Sequence, residues 1–331
     1  MAILQNTLQI ILTLLGIILF WALLMALLSP LESLGWWAGW FGDKAEADEV
    51  KLDRLGAQAL PPGKHHFIVF LTGIGGVKPE VHIPEERRFL DHLAERIPEA
   101  VIVDDIFPYS VTNRALTGNR IFSWFWRIAL RSQDERKPLG KLINIRNVFQ
   151  VLVASDHRYG PMYDRGSAEI VIKGLLRHGY AIGSGVPVYV IGYSGGGQIA
   201  IGSAAYVSAR IKAPVRILSL AGVFCADPSI PKIEHLYHMH GRTDGVERLG
   251  RRIFPGRWPI MRHSTWNQAL VNDRATIIDM GDMIHNGPGS YLDPESMVDE
   301  THSYLDKTVE TMAIIVTGKG EELPVPKKIE D

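Results

Sequence analysis

Cysteine is almost missing from this chain: Cys225 is the only one in 331 residues. A disulfide framework within the chain is therefore excluded, and cysteine usage leaves the redox compartment open. An excess of either charge is missing too. With 35 Lys and Arg against 36 Asp and Glu, the formal net charge is −1 and the sequence pI about 6.9. No basic footprint exists for a nucleic-acid partner. A third absence is local. Thr72-Gly73-Ile74-Gly75-Gly76 begins like a dinucleotide fingerprint, but Gly-x-Gly-x-x-Gly needs glycine where Lys78 stands, so that motif fails. No cofactor is expected, and no internal repeat is present.

The first 31 residues lack charged side chains altogether, and from Leu8 to Leu28 the run is almost wholly apolar. That length suits a helix crossing a bilayer. Trp36, Trp37, Trp40 and Phe41 follow, as interfacial aromatics do. A cleaved signal peptide would want a basic start, a shorter apolar run and a small-x-small cleavage site, none of which stands out. A buried core helix would want a polar face. The expectation is an uncleaved anchor over 1–31, with a lipid bilayer as partner. Lys44 and Lys51 sit among acids, so the side of the membrane is left open.

What is present beyond the anchor suits one large α/β domain: 46% of residues are apolar and 21% charged. Residues 32–64 read as an interfacial segment and linker, charged and then Pro/Gly-bearing at Pro61-Pro62-Gly63. The domain is placed at 65–316, with a loose polar tail at 317–331. Strands are predicted at 66–71, 101–103, 215–220, 235–240 and 275–280 and in the β-branched run from Pro187 that ends at Gly192, and helices at 84–97, 142–154, 168–178, 198–205 and 297–316. Strand–helix alternation predicts a mostly parallel sheet flanked by helices. It breaks over about 107–166, which holds the aromatic stretch 121–128 and reads as a cap or lid insertion. Asp104 and Asp105 end a strand pointing opposite ways, which makes them loop anchors rather than a paired acid/base site.

The densest signal lies at Pro187–Gly202. A β-branched run ends at Gly192-Tyr193-Ser194-Gly195-Gly196, and small helix-tolerant residues follow. Strand, sharp turn and helix in that order hold a serine in a strained conformation at the strand's carboxyl end. The first amides of the helix then point at any nearby negative charge. A serine hydroxyl needs a base within reach and a carboxylate to orient that base. The loops after later strands supply both, in Gly241-Arg242-Thr243-Asp244-Gly245-Val246 and Ile284-His285-Asn286-Gly287-Pro288.

On these three motifs, over roughly residues 66–316, the chain resembles the α/β-hydrolase superfamily, in the order Ser, Asp, His. The resemblance implies Ser194 as nucleophile, Asp244 as orienting acid and His285 as general base. It implies an oxyanion held by the backbone amides of Ile74 and Gly195, although this loop begins Thr-Gly where the superfamily often has His-Gly. Asp227, ending the preceding strand, is the alternative acid. Asp282 is too near His285 in sequence, and His302 falls in the last predicted helix. His235, His238 and His240 share a strand, but only 238 and 240 share a face and no third ligand is evident, so no metal is expected. The implied activity is a membrane-anchored serine esterase or lipase-like hydrolase acting through an acyl-enzyme. Its substrate would be a small-molecule or lipid ester or thioester. A hydrolase-like module that binds without turnover, or an acyltransferase, is the alternative.

Overall fold

The computed structural model describes residues 2–28, 60–76, 82–110 and 138–318. Six strands form one sheet: β1 (His66–Leu71), β2 (Ala100–Val103), β3 (Val188–Tyr193), β4 (Val215–Leu220), β5 (His235–His240) and β6 (Ala275–Asp279). Their order is β2-β1-β3-β4-β5-β6 and every pairing is parallel. The helices are α1 (Ala2–Leu28), α2 (Pro84–Arg96), α3 (Pro138–Ala154), α4 (Gly160–Arg177), α5 (Gly196–Ile211), α6 (Gly245–Ile253), α7 (Thr265–Val271) and α8 (Tyr304–Thr317).

A parallel sheet covered on both faces needs strands that are apolar on both sides. Phe67, Val69 and Leu71 of β1 face one layer, with Val188 and Val190 of β3 and Val215 and Ile217 of β4. Helices α3, α4, α5 and α7 cover that layer through Val151, Tyr163, Ile199 and Trp266 among others. The alternate residues Ile68, Phe70, Ile191 and Leu218 face α2 and α8, which contribute Phe89, Leu93, Leu305 and Met312. Each such fully buried side chain contributes roughly 1.5–3 kcal/mol. The fold is α/β, a parallel sheet flanked by helices.

Chain order matters for the site. From β1 the chain moves outward to β2, then returns to β3 on the other side of β1. Loops after β1 and β3 therefore part over a crevice at the carboxyl ends of the strands, where α/β sheets bind their ligands.

Several predicted boundaries shift. The helix predicted at 168–178 begins at Gly160, because Pro161 suits a first helical turn and Tyr163 buries its ring against the sheet. The closing helix starts at Tyr304 rather than 297, fixed by a capping box between Ser303 and Asp306. His302 consequently lies before that helix, exposed and paired with Asp299. Asp104 and Asp105 act as anchors, taking Arg87 of α2 and Arg177 of α4 at 2.7 Å each.

The described ends of the insertion, residues 107–110 and 138–166, are part of the framework: Tyr109, Ile143, Val151 and Tyr163 are all in the core. The lid reading rests on 111–137, which, with the aromatic stretch 121–128, lies outside the described residues. So do most of the linker and the tail beyond Gly318. The described side chains along α1, residues 5–21, 23 and 24, are exposed except for the half-buried Leu24. Over the described residues no helix is long and apolar enough to cross a membrane; an anchor needs the whole of 8–28 and is taken up below as a proposal.

Candidate active site

Ser194 follows β3 directly and takes a left-handed backbone, φ 52°. Such a conformation costs an L-residue about 1–2 kcal/mol. It persists because the surrounding backbone leaves no alternative. The Ser194 amide donates to Leu220 O at 3.0 Å, and its carbonyl accepts from Gly197 and Val223. The flanking glycines make the turn possible. A Cβ on Gly192 would stand 2.6 Å from Gly196 O, and one on Gly196 would stand 2.5 Å from Leu71 O. The Ser194 side chain, only 6% exposed, is raised above the sheet edge.

His285 arrives on the loop after β6. Its Nε2 is 2.8 Å from Ser194 Oγ, and its Nδ1 lies 2.9 Å from Asp244 Oδ2 and 3.0 Å from Oδ1. Asp244 follows β5 and caps α6, where its Oδ1 accepts from the amides of Val246 and Glu247 at 2.9 Å each. Asp244 is fully buried. Burial pushes its carboxyl upward, but bonds from His285, the Glu247 amide and the Tyr291 hydroxyl outweigh that and hold it below the ordinary value. An ionised carboxylate on Nδ1 fixes the imidazole with Nε2 free to take a proton from serine.

The loop after β1 runs against the serine. A Cβ on Gly73 would stand 3.4 Å from Ser194 Cβ, and one on Gly195 would stand 2.7 Å from Ile74 Cγ2. Ile74 and Gly195, the two residues expected to line an oxyanion site, are thus neighbours. Three side chains hold this loop. Glu86 accepts from Thr72 Oγ1 at 2.6 Å, Tyr109 donates to Thr72 O at 3.0 Å, and Asn147 donates to Ile74 O at 2.6 Å and Gly76 O at 3.0 Å.

The remaining candidates go elsewhere. Asp227 accepts from Gln198 Nε2 at 2.9 Å and from the Ser229 amide at 2.8 Å, while the imidazole of His285 faces Asp244. His238 bonds Ser219 at 3.1 Å and Glu247 at 3.2 Å, and His235 bonds Thr276. Among the described residues, no three His, Cys, Asp or Glu side chains are grouped to hold a metal. Cys225 is no rival nucleophile: burial first, then the carboxylates of Asp227 and Asp164, push its thiol up to about 12.

Sequence reasoning missed the supports. Tyr291 donates to Asp244 Oδ2 at 2.9 Å and accepts from the Gly241 amide at 2.6 Å. Tyr193 donates to His285 O at 2.8 Å, and its ring stacks on the imidazole with centroids 6.0 Å apart. Tyr193 sits inside the Gly-x-Ser-x-Gly and was within reach of inspection. Glu86, Asn147 and Tyr291 carry no local signal.

No family model matches the chain, and no curated protein matches it. Among solved structures, one described as a dienelactone hydrolase-like promiscuous phosphotriesterase, from metagenomic libraries, is similar at 14% identity. That likeness covers 80% of this chain and 88% of the other, with a TM-score of 0.43.

Proposed function

We propose that this chain is a serine hydrolase cleaving an ester or thioester through an acyl-enzyme. The single observation carrying this reading is Ser194 Oγ at 2.8 Å from an imidazole that is itself held by a buried carboxylate. In the proposed reaction Oγ attacks the acyl carbon while Nε2 of His285 takes the hydroxyl proton. Asp244 stabilises the imidazolium that results. The carbonyl oxygen, gaining negative charge, sits toward the amides of Ile74 and Gly195. Collapse expels the alcohol or thiol, which receives the proton from His285. Water then attacks the acyl carbon as His285 takes its proton, the acyl–Oγ bond breaks, Oγ regains that proton from His285, and the free acid leaves.

The supporting features are the strained turn under Ser194, the ordered support of the loop after β1, and the depressed Asp244 carboxyl. The apolar run 8–28 suits an N-terminal anchor, so acyl lipids or other amphipathic esters are the proposed substrates. A fluorophosphonate probe tests the reaction class. Labelling of wild type that disappears in Ser194→Ala and in His285→Ala supports it, whereas a folded wild type that takes no label points to a module that binds without turnover. The substrate class is tested by acyl-chain length: medium or long chains should be cleaved faster than acetate, and a flat or reversed profile removes the lipid reading.

A further inference from the structure

Helix α6 begins at the triad's carboxylate and carries a second feature that the chemistry does not use. Its inward side is Glu247 and Gly250, both buried, with Gly250 so close that a Cβ there would stand 2.8 Å from Val223 Cγ1. Val223 belongs to the loop after β4, so α6 lies on the same strand-end edge as Ser194. Its outward side presents Val246, Leu249 and Ile253, spaced i, i+3, i+7 and therefore on one stripe, with Leu249 57% and Ile253 56% exposed. In the segment that follows, Trp258, Ile260 and Met261 are exposed as well, Ile260 at 81%. Monomeric proteins rarely leave so many large apolar side chains of one short segment to water.

The exposed charges of this segment all have one sign. Between Gly245 and His263 the only acid is Glu247, which is buried and committed to His238 and Arg257. Arg248, Arg251, Arg252 and Arg262 are exposed. On a helical projection Arg252 borders the stripe of Val246, Leu249 and Ile253 at Leu249, Arg248 and Arg251 continue the basic face beyond it, and the buried Gly250 borders the stripe at Val246. Arg248 donates to a carbonyl, that of Arg242, and Arg251 reaches Glu247 only at 3.7 Å. An apolar stripe beside a basic face, followed by an exposed indole, is complementary to a surface that is apolar within and anionic at its boundary.

We infer that residues 246–262 form a docking surface for an anionic lipid bilayer, which holds the rim of the active site against the membrane. This rests on the reading that the chain works at a membrane, and it adds a contact that the N-terminal segment does not supply. The acyl chain of a bilayer ester would then reach the crevice beside Ser194 without crossing water.

The test uses the full chain in lipid nanodiscs. Cys225→Ser removes the one native thiol, and Leu249→Cys carries an environment-sensitive nitrobenzoxadiazole label. Glu95→Cys on α2 serves as the control position. With phosphatidylglycerol mixed into phosphatidylcholine, the label at 249 should shift to the blue and escape iodide quenching, while the control stays water-exposed. Phosphatidylcholine alone should give a weak shift, and Arg248→Gln with Arg252→Gln should remove it. A water-like label at 249 in both lipids overturns the proposal. So does a shift equal in both lipids and indifferent to the arginines, which would mean that another part of the chain or a second copy covers the face. Protein that fails to enter the discs counts against the anchor alone. The same labelled chain is then mixed with anionic vesicles and floated: binding with a blue shift supports the surface, and no binding overturns it. None of these readouts requires catalysis, so failure of the hydrolase reading would be seen separately.

Discussion

Ser194 Oγ and His285 Nε2 meet at 2.8 Å although 91 positions separate them in sequence. One side chain leaves β3, the other the loop beyond β6, and three strand spacings lie between those strands in the sheet. The long loop after β6 spans that distance, and the Tyr193 hydroxyl holds its backbone at His285 O. The serine at the centre of the arrangement is thus presented by backbone strain, and the base is delivered by a tethered loop.

Strain at the serine has a measurable consequence. Replacing Ser194 by glycine removes the cost of φ 52°, whereas alanine keeps it. Both variants should lose at least about 10⁴-fold in activity. Ser194→Gly should nonetheless be more stable than Ser194→Ala by about 1 kcal/mol in urea unfolding.

The two candidate acids separate cleanly. Asp244→Asn should lower kcat by about 10⁴, because the amide no longer holds the imidazole in the working tautomer. Asp227→Asn should leave most activity, since Asp227 bonds Gln198 and Ser229. Tyr291→Phe lies between: it removes one donor to the Asp244 carboxylate and should cost roughly tenfold in kcat, with KM little changed. Steady-state kinetics on all three distinguishes the cases. Equal losses at 227 and 244 would mean that the acid has been misassigned.

Acid should destabilise the fold through His238. Burial, then the Arg257 guanidinium, lower its imidazole from 6.5 to about 4, with Glu247 opposing. The unfolded chain therefore binds the proton first. Stability from neutral His238 is complete above 6.5 and is lost as pH falls from 6.5 toward about 4, at up to about 1.4 kcal/mol per pH unit. Melting temperature measured from pH 7 down to 4.5 should fall, and His238→Gln should flatten that slope.

Asp164 should act in the opposite direction. It is buried, its Oδ1 has no hydrogen-bond partner, and burial with the nearby Asp227 raises its carboxyl well above the ordinary value. A raised acid binds its proton more tightly folded than unfolded, so stability falls as pH climbs past 3.8. Asp164→Asn should match wild type near pH 4 and exceed it by about 1–2 kcal/mol at pH 7. A variant no more stable than wild type at pH 7 would mean that the carboxylate is solvated.

How much of this was legible beforehand follows from the range over which each feature is determined. The turn at Ser194 was readable because its strand, its glycines and its helix adjoin one another, and a steric requirement over five residues leaves a local pattern. Asp244 and His285 were readable only through chain order. Asn147 and Tyr291 were not readable at all: each acts on a backbone atom or carboxylate tens of residues away, and a single polar residue in a helix or loop carries no mark of its partner. Helix α6 escaped because Arg248, Arg251 and Arg252 dilute its apolar stripe. The start of α4 at Gly160 carries no clear mark, because a Gly-Pro pair suits a turn and a first helical turn equally.

The central claim is a covalent acyl intermediate on Ser194. Its most direct measurement is intact and peptide-level mass spectrometry of the full chain, quenched in acid during turnover of a slowly deacylated activated ester. The account predicts one acyl adduct, located on the peptide containing Ser194, formed faster than it decays and missing in Ser194→Ala. Turnover with no adduct at any quench time, or an adduct of the same yield that persists in Ser194→Ala, would contradict it.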